Sequence, residues 1–390
     1  MAKKLEESFE EYILSVIEDR RKGKWPSVLR FLLRQLAYIF EGVVQTRLFL
    51  YRTGILRHHA LGCQVISVGN LTVGGTGKTP VAEVLARSLQ KSGRKVAILS
   101  RGYKKEKAPL KTRILNKVLL SEDKVLPRIV SDGQKLLLDS AMSGDEPYML
   151  ASNLPEVAVL VEKDRVKSGR YAIKKLGCDT LILDDGFQHL ALKHRLDIVL
   201  VDRTNPFGNE NVLPRGILRE PPENIKRAGF IFITKSNGDG AEDLKNRLRA
   251  LNPTAEISEC RHCPRHLVNV YTREEKPLTT LDGMQIVALS GIASPRSFES
   301  ELVNLGATVM HHETYTDHHR YNQQEIIDLI NDSIERGADA IITTEKDAVR
   351  MPRIERRDIP IYYLRVEIEM LSGEEEFYDW INRICFTTTH

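Results

Sequence analysis

The fold is decided by residues 65–80, which read VISVGNLTVGGTGKTP. An apolar run predicts a buried β-strand, a glycine-rich loop follows it, and a helix is predicted to begin near Lys78. In a loop of this layout, backbone N–H groups surround phosphate oxygens, the lysine reaches the β- and γ-phosphates, and the threonine hydroxyl holds Mg²⁺. A nucleoside triphosphate is therefore the first ligand that the sequence predicts. The residues expected to bind it are Gly74, Gly75, Thr76, Gly77, Lys78 and Thr79.

The match to the common pattern G-x-x-x-x-G-K-[ST] is incomplete, because Thr72 stands where that pattern has its first glycine. Gly74 and Gly75 make the loop similar to the GG-x-GK-T variant instead. The alternative explanation is a glycine-rich strand–helix turn without a ligand. A Lys-Thr pair at a helix start has little structural reason to be there, so a phosphate-binding loop (P-loop) is the favoured interpretation.

The composition is ordinary for a globular protein and excludes few functions. With 390 residues, 42% hydrophobic and 28% charged, the chain is long enough for two domains. A formal net charge of +4 is too small to indicate nucleic-acid binding, so no nucleic-acid partner is expected. Five cysteines and no recognisable signal peptide favour a reducing compartment. The sequence holds no run of about 18 apolar residues, so no membrane-spanning helix is expected.

The N-terminal region differs from the rest of the chain. Residues 1–24 form a charged extension to which the sequence assigns no role, and residues 25–60 are apolar and basic with helical spacing. A basic amphipathic helix of this kind can lie in the headgroup layer of an anionic membrane. The alternative is a helix packed on the P-loop domain with its arginines on the side that faces water.

Strands alternate with helices along the remaining sequence, which predicts an α/β fold with a doubly wound, mostly parallel sheet of the P-loop NTPase type. We assign residues 61–228 to the P-loop domain, with a lysine-rich insertion over residues 104–124. Residues 229–390, beginning with the strand Phe230–Thr234, are predicted to form a second, smaller α/β domain with a C-terminal segment. Ligands of such sheets bind outside the carboxyl ends of the strands.

Two pairs of acids are candidates for chemistry. Asp184 and Asp185 end an apolar strand, where a carboxylate next to a P-loop holds Mg²⁺; a helix cap is the alternative role. Asp145 and Glu146 lie between Gly144 and Pro147, and a carboxylate there could take the proton of an acceptor hydroxyl. An N-cap on the following helix explains them equally well, and spacing alone does not decide.

Further polar clusters carry weaker signals. His318 and His319 follow Asp317, which is compatible with proton handling or a metal. Cys260, Cys263 and His266 contain one CxxC and could supply three zinc ligands, but free thiols are the expected state. The stretch Thr234–Asn237 lacks the carboxylate that would pair with guanine, which argues against a GTPase.

These pieces occur in the order seen in one family. The chain resembles the tetraacyldisaccharide 4′-kinases, the lipid A 4′-kinases of Gram-negative bacteria, over roughly residues 28–365. The matching blocks are residues 67–80, 99–103, 144–147, 183–189, 213–220, 289–298, 317–318 and 343–349. The resemblance implies transfer of the ATP γ-phosphate to the 4′-hydroxyl of tetraacyldisaccharide 1-phosphate, with lipid IVA as the product.

The resemblance also implies roles for individual residues. Asp145 matches the catalytic base, His318 the histidine paired with it, and Glu146 belongs to the same catalytic motif. Lys78 and Thr79 match ligands of phosphate and Mg²⁺. The metal set is completed by Asp184 and Asp185, which match Walker B carboxylates, and by Glu220. Contacts with nucleotide or acceptor are expected for Arg101, Gln188, His189, Arg215 and Arg219.

A substrate with four acyl chains stays in the bilayer, so residues 25–60 are expected to dock a peripheral enzyme on the cytoplasmic face of the bacterial inner membrane. Closure of the second domain is expected to bring His318 to Asp145. Two rival functions remain: a P-loop NTPase switch acting on a protein partner, and a membrane-surface scaffold that keeps a nucleotide fold. The oligomeric state does not follow from the sequence.

Overall fold

The computed structural model describes residues 12–102 and 126–386. Its internal contacts group the chain into two units that are interleaved in sequence. The first unit contains residues up to Arg101, Glu162–Arg261 and residues from Met370, and the second contains Gly102–Val161 and His262–Glu369. The predicted insertion over residues 104–124 and most of the N-terminal half of the charged extension lie outside the described residues.

Helices and strands are mixed throughout, and most strand pairs are parallel, which confirms the predicted α/β class. The described strands are β1 (Gln64–Asn70), β2 (Val96–Ser100), β3 (Arg128–Asp132), β4 (Ala158–Val161), β5 (Thr180–Asp184), β6 (Leu196–Asp202), β7 (Phe230–Thr234), β8 (Glu256–Asn269), β9 (Glu275–Pro277), β10 (Gln285–Ser290), β11 (Thr308–Thr314), β12 (Ala340–Thr344) and β13 (Ile361–Ser372).

A short helical segment over residues 12–17 precedes the longer helices. The α-helices that follow are α1 (Lys24–Arg52), α2 (Lys78–Lys91), α3 (Ser140–Ser143), α4 (Asp145–Asn153), α5 (Arg165–Leu176), α6 (Glu242–Leu251), α7 (Pro295–Asn304), α8 (Gln323–Glu335), α9 (Glu345–Ala348) and α10 (Glu374–Phe386). Two 3₁₀ turns cover Pro222–Arg227 and Leu278–Leu281.

The first unit is built on parallel strands in the order β8-β7-β6-β1-β5-β2. Its central strands are buried along nearly their whole length, as expected for strands covered on both faces. Val68 in β1 is the register partner of Asp184 in β5. The loop after β1 and the acids after β5 therefore leave the sheet at the same edge, which is where ligands of parallel sheets bind.

The second unit has parallel strands in the order β11-β10-β12-β13, with β8 beside β13. Alternate residues of β10 enter two different apolar cores, one shared with α7 and the other with α8. Helix α8 begins with a capping box, in which the side chain of Asn322 accepts from the N–H of Glu325 and Glu325 bonds back to Asn322. This box sits directly after the loop that carries His318.

Strand β7, which the sequence analysis placed at the start of the second domain, pairs in parallel with β6 from Ile198 and Phe230 onward. It therefore belongs to the first unit, and the chain enters the second unit later, between Arg261 and His262 within β8. It returns between Glu369 and Met370 within β13. The assignment of domains to residues 61–228 and 229–390 stays a prediction.

Candidate active site

The loop between β1 and α2 has the geometry of a phosphate cradle. Gly74 has φ +114° and Gly77 has φ +83°, values that glycine adopts without the steric cost that other residues meet. Gly77 is the N-cap of α2 and has no side chain to bond the first N–H groups of that helix. These groups and the positive end of the helix dipole are therefore left for an anion.

Lys78 extends over this loop from the first position of α2. Its Nζ donates to Oδ1 of Asn70 over 3.4 Å and lies 3.6 Å from Oδ1 of Asp185. Thr79 follows it and is buried. In the described part of the chain, the hydroxyl of Thr76 is buried without a hydrogen-bond partner. The loop thus offers a cation, helix N–H groups and an unsatisfied hydroxyl, which fits a polyphosphate.

The two acids after β5 have different surroundings. Asp184 accepts a hydrogen bond from the hydroxyl of Ser100 over 3.2 Å. Asp185, with φ +53°, accepts from NH1 of Arg219 through both carboxylate oxygens, at 2.8 Å each. Burial raises the pKa of Asp185, but the charges of Lys78 and Arg219 outweigh burial and hold the pKa below its usual range. Asp185 is therefore a charged carboxylate.

No group of three or more His, Cys, Asp or Glu side chains converges on a possible metal position within residues 12–102 and 126–386. Mg²⁺ bound to nucleotides commonly takes only one or two protein carboxylates and fills its shell with water and phosphate oxygens. Thr79, Asp184 and Asp185 fit that mode. Glu220 is buried and already accepts from Arg227 over 2.7 Å and from Asn224 over 2.9 Å, so its position has an explanation without a metal.

Asp145 is the first residue of α4, whose N-cap is Gly144, so the alternative role of Asp145 as the cap does not apply. Its Oδ2 accepts from Nε of Arg350 over 2.8 Å and lies 3.3 Å from Nδ1 of His318. Its Oδ1 lies 3.3 Å from NH2 of Arg320. The carboxylate of Asp145 therefore lies at a helix start, in contact with one histidine and two arginines.

The structure separates the two adjacent histidines. His318 has φ +65° and lies against Asp145, whereas His319 bonds to Glu325 over 3.1 Å and stacks on Tyr315. Asp145 and His318 both belong to the second unit. The expectation that domain closure brings them together is therefore wrong, because they are in contact within one unit. Glu146, the other acid of this motif, bonds to Nζ of Lys346 over 2.9 Å.

A model of the family described as tetraacyldisaccharide-1-P 4′-kinase matches residues 29–385 of this chain. The chain belongs to this family. The match includes every residue block on which the resemblance was based. The rival interpretation as a P-loop NTPase switch is not favoured.

Individual members of the 4′-kinase family are similar over most of their length. A tetraacyldisaccharide 4′-kinase of Anaeromyxobacter dehalogenans is 40% identical over 341 residues, which cover 86% of this chain and 85% of the relative. One of Halothermothrix orenii is 32% identical over 400 residues, covering 98% and 100%. The crystal structure titled "apo" form LpxK from Aquifex aeolicus in complex with ATP matches with a TM-score of 0.71 at 30% identity, covering 91% of this chain and 99% of that one.

The other residues that the family resemblance placed near nucleotide or acceptor differ in their surroundings. Gln188 donates to the carbonyl of Asn70 over 3.0 Å, next to the phosphate loop. Burial lowers the pKa of His189 to about 4, so its imidazole is neutral near pH 7. The side chain of Arg101 is exposed. The sequence motifs do not reveal which of these would touch a ligand.

The buried side chain of Arg215 is engaged by the N-terminal segment, and its contact with nucleotide or acceptor stays a prediction. NH2 donates to both carboxylate oxygens of Asp19, over 2.7 and 2.8 Å, and NH1 donates to the carbonyl of Ile17 over 2.8 Å. Arg30 donates to the same Asp19 over 3.0 Å. The C-terminal part of the charged extension thus holds a family motif in place, and no pattern in residues 1–24 pointed to this contact.

Two functional candidates in the second unit were missed by the sequence analysis. Arg350 is buried against Asp145, and Asp347 is buried against Arg350. The block of residues 343–349, which contains Asp347, was recognised only as a match without a role, and Arg350 follows that block directly. The zinc alternative gains no support. Burial raises the pKa of Cys260 to about 12, which disfavours the thiolate that zinc requires.

Helix α1 carries apolar side chains on two faces. Ala37 and Phe40 pack into the core of the first unit, whereas the opposite face is exposed. Large apolar residues that project into solvent at helical spacing are Val28, Phe31, Leu32, Leu36, Ile39, Val43 and Phe49. Arg34, Arg47 and Arg52 are exposed as well, so a helix packed on the first unit with its arginines facing water also agrees with the structure. Within the described residues, no helix is long and apolar enough to cross a bilayer.

Proposed function

We propose that this chain transfers the γ-phosphate of ATP to the 4′-hydroxyl of tetraacyldisaccharide 1-phosphate and so forms lipid IVA. The observation that carries the proposal is the position of Asp145 at the open start of α4, against His318, in a chain of the 4′-kinase family that also holds an intact phosphate loop. A nucleotide switch that acts on a protein partner does not need such a carboxylate–histidine pair.

In this proposal the loop of Gly74, Gly75, Thr76 and Gly77 surrounds the phosphates of ATP with backbone N–H groups. Lys78 places its ammonium against the β- and γ-phosphates, and the N-terminus of α2 adds its dipole. Mg²⁺, when bound, would draw charge from the phosphate oxygens, with Thr79, Asp184 and Asp185 as its protein ligands. We do not include Glu220 among the Mg²⁺ ligands, because its carboxylate already accepts a hydrogen bond from Arg227. We assign it a supporting role through that ion pair.

Asp145 acts as the base. The 4′-oxygen of the acceptor forms a bond to the γ-phosphorus, the bond from that phosphorus to the β–γ bridging oxygen breaks, and ADP leaves. The hydroxyl proton passes to the carboxylate of Asp145, with His318 beside it. Glu146 and Lys346 form the neighbouring ion pair, which orients the start of α4.

We further propose that α1 docks the enzyme peripherally on the cytoplasmic face of the inner membrane. Its exposed Phe31, Ile39 and Val43 would enter the acyl boundary, and the arginines of the segment would meet anionic headgroups. Replacing Phe31 and Ile39 by Glu should lower binding to vesicles of anionic lipid by at least about 10²-fold, since each of the two apolar side chains is worth roughly 1.5–3 kcal/mol when buried and about 1.4 kcal/mol is tenfold in affinity. Unchanged vesicle binding by the folded variant would contradict this role.

The kinase reaction is tested with γ-labelled ATP, Mg²⁺ and detergent-dispersed tetraacyldisaccharide 1-phosphate. We expect labelled lipid with wild type, at least about 10²-fold less with Asp145→Asn, and nearly unchanged ATP binding by that variant. The matched control is Asp358→Asn, which removes an exposed carboxylate of the same unit. Nucleotide hydrolysis that depends on a protein partner, without labelled lipid, would instead support the NTPase switch.

A further inference from the structure

Arg350 is the most enclosed charged group beside the proposed base. Its side chain is completely buried, and each of its three nitrogens has a partner. Nε donates to Oδ2 of Asp145 over 2.8 Å, and NH1 donates to the carbonyl of Gly291 over 3.1 Å and to Asp347 over 3.2 Å. NH2 lies 3.2 Å from Nδ1 of His318. One planar group thus contacts both Asp145 and His318.

The chemistry of the guanidinium decides the direction of the contact with His318. A guanidinium stays protonated in proteins and only donates hydrogen bonds, so Nδ1 of His318 has to accept from it. A neutral imidazole with an accepting Nδ1 carries its proton on Nε2. That nitrogen lies 4.0 Å from Oδ2 of Asp317, a carboxylate that favours a proton on this side of the ring.

The direct contact between Asp145 and His318 then needs a third group. In this tautomer, Oδ2 of Asp145 and Nδ1 of His318 are both acceptors, 3.3 Å apart. Two acceptors at this distance repel each other unless a shared donor lies between them. Arg350 is such a donor, because its Nε and NH2 point to one acceptor each.

We propose that Arg350 is a positioning residue that bridges Asp145 and His318, holds His318 as the Nε2–H tautomer, and leaves Oδ1 of Asp145 to take the proton of the acceptor hydroxyl. This inference rests on the proposed kinase function. Oδ1 faces Arg320, whose side chain is half-exposed and lies at 3.3 Å. An incoming hydroxyl can replace such a contact, whereas the bond to Arg350 on Oδ2 is sealed from water.

Arg350 is held in place by its buried ion pair with Asp347, which is why Arg350 can act as a rigid bridge. Asp347 is fully buried and accepts from the N–H of Gly291 over 3.0 Å and the hydroxyls of Tyr321 and Thr344, over 3.0 and 2.6 Å. Burial raises the pKa of Tyr321, so its hydroxyl stays a donor. With its partners satisfied, Asp347 compensates the buried charge of Arg350 and restricts its motion.

The kinetic test compares Arg350→Lys and Arg350→Met with wild type in the labelled-lipid assay. Lys keeps the charge but has no planar fork, so it cannot contact Asp145 and His318 as Arg350 does. We expect kcat to fall by about 10²-fold in Arg350→Met, and by roughly tenfold in Arg350→Lys, because misplaced catalytic groups lose about this much. KM for ATP should change by less than about threefold, since the phosphate loop lies on other elements. The matched controls are Arg353→Lys and Arg353→Met, which alter an exposed arginine three residues later.

The spectroscopic test reads the His318 tautomer by nitrogen NMR of protein labelled with ¹⁵N-histidine, using His318→Gln to assign the signal. We expect the Nε2–H form in wild type and a mixture of tautomers in Arg350→Lys. A protonated Nδ1 in neutral wild-type His318 would overturn the inference, as would folded Arg350 variants with unchanged kcat. If Arg350→Met does not fold, the wild-type tautomer and Arg350→Lys still decide.

The kinase function and the Arg350 bridge can be disproved separately. Absence of labelled lipid with wild-type protein would remove the proposed function, while the tautomer of His318 would still test the bridge. Labelled lipid from wild type, together with a tautomer and kcat that do not respond to Arg350, would leave the kinase intact and remove the bridge.

Discussion

The phosphate loop of the first unit and the Asp145 cluster of the second unit are built in opposite ways. The loop takes its groups from consecutive residues, and the backbone of a strand–helix turn positions them. The Asp145 cluster takes its groups from positions 145, 318 and 350, and side-chain hydrogen bonds hold it together. A site made by backbone should tolerate the loss of one side chain without unfolding, whereas a site made by buried side chains should not.

Asp347→Asn should give the largest effect on stability, because it removes the charge that compensates buried Arg350. Breaking a buried ion pair from one side costs about 3–5 kcal/mol, and the loss should appear in chemical unfolding. Asp328→Asn, an exposed acid on α8, is the matched control and should leave the free energy of unfolding nearly unchanged. Equal stability of the two variants would contradict the view that buried side-chain contacts hold the Asp145 cluster together.

Lys78→Ala should show the reverse pattern. Removing one cation aimed at developing charge costs about 10²–10³-fold in turnover, and ATP affinity should fall as well. The free energy of unfolding should stay within about 0.5 kcal/mol of wild type, as for most substitutions outside the core. The control is Lys91→Ala at the other end of α2. If Lys78→Ala binds ATP and turns over like wild type, the loop is not a phosphate site.

His189 gives a smaller effect that depends on pH. Its pKa is about 4 in the folded state and near 6.5 in the unfolded state, so the unfolded chain binds the proton first as pH falls. Stability should therefore decline between about pH 6.5 and pH 4, by up to about 3 kcal/mol from this group. His189→Gln should flatten that part of the unfolding profile, whereas His59→Gln, at an exposed position, should not. An unchanged slope in His189→Gln would show that burial does not hold this imidazole neutral.

The difference in construction also explains what the sequence could predict. The phosphate loop and the acids after β5 follow local rules, since glycine spacing, an apolar strand and a helix start lie within a few residues of each other. Asp145 and His318 were paired through the family motifs, because nothing local joins positions so far apart. No sequence pattern indicated Arg350, because the local sequence around a buried arginine does not differ from that around an exposed one. Its burial depends on partners that are distant in sequence.

The strand order of the sheet likewise could not be predicted from local sequence patterns. The pattern of β7 predicts a buried parallel strand equally well in either unit, and only its register with β6 places it in the first. In α1, periodicity predicts an amphipathic helix but does not predict that apolar residues lie on the exposed side as well as in the core. Both outcomes depend on tertiary neighbours rather than on local propensity.

The contact between Asp19 and Arg215 has a practical consequence for the design of N-terminal truncations of this protein. The charged start of the chain looks dispensable, yet a shortened protein beginning at Lys24 would leave a buried guanidinium facing an empty position, with Arg30 also released. Melting curves of such a truncation beside Asp19→Asn would reveal how much of the loss comes from that one carboxylate. Affinity tags and fusion partners at the N-terminus are therefore safer when residues 12–20 are kept.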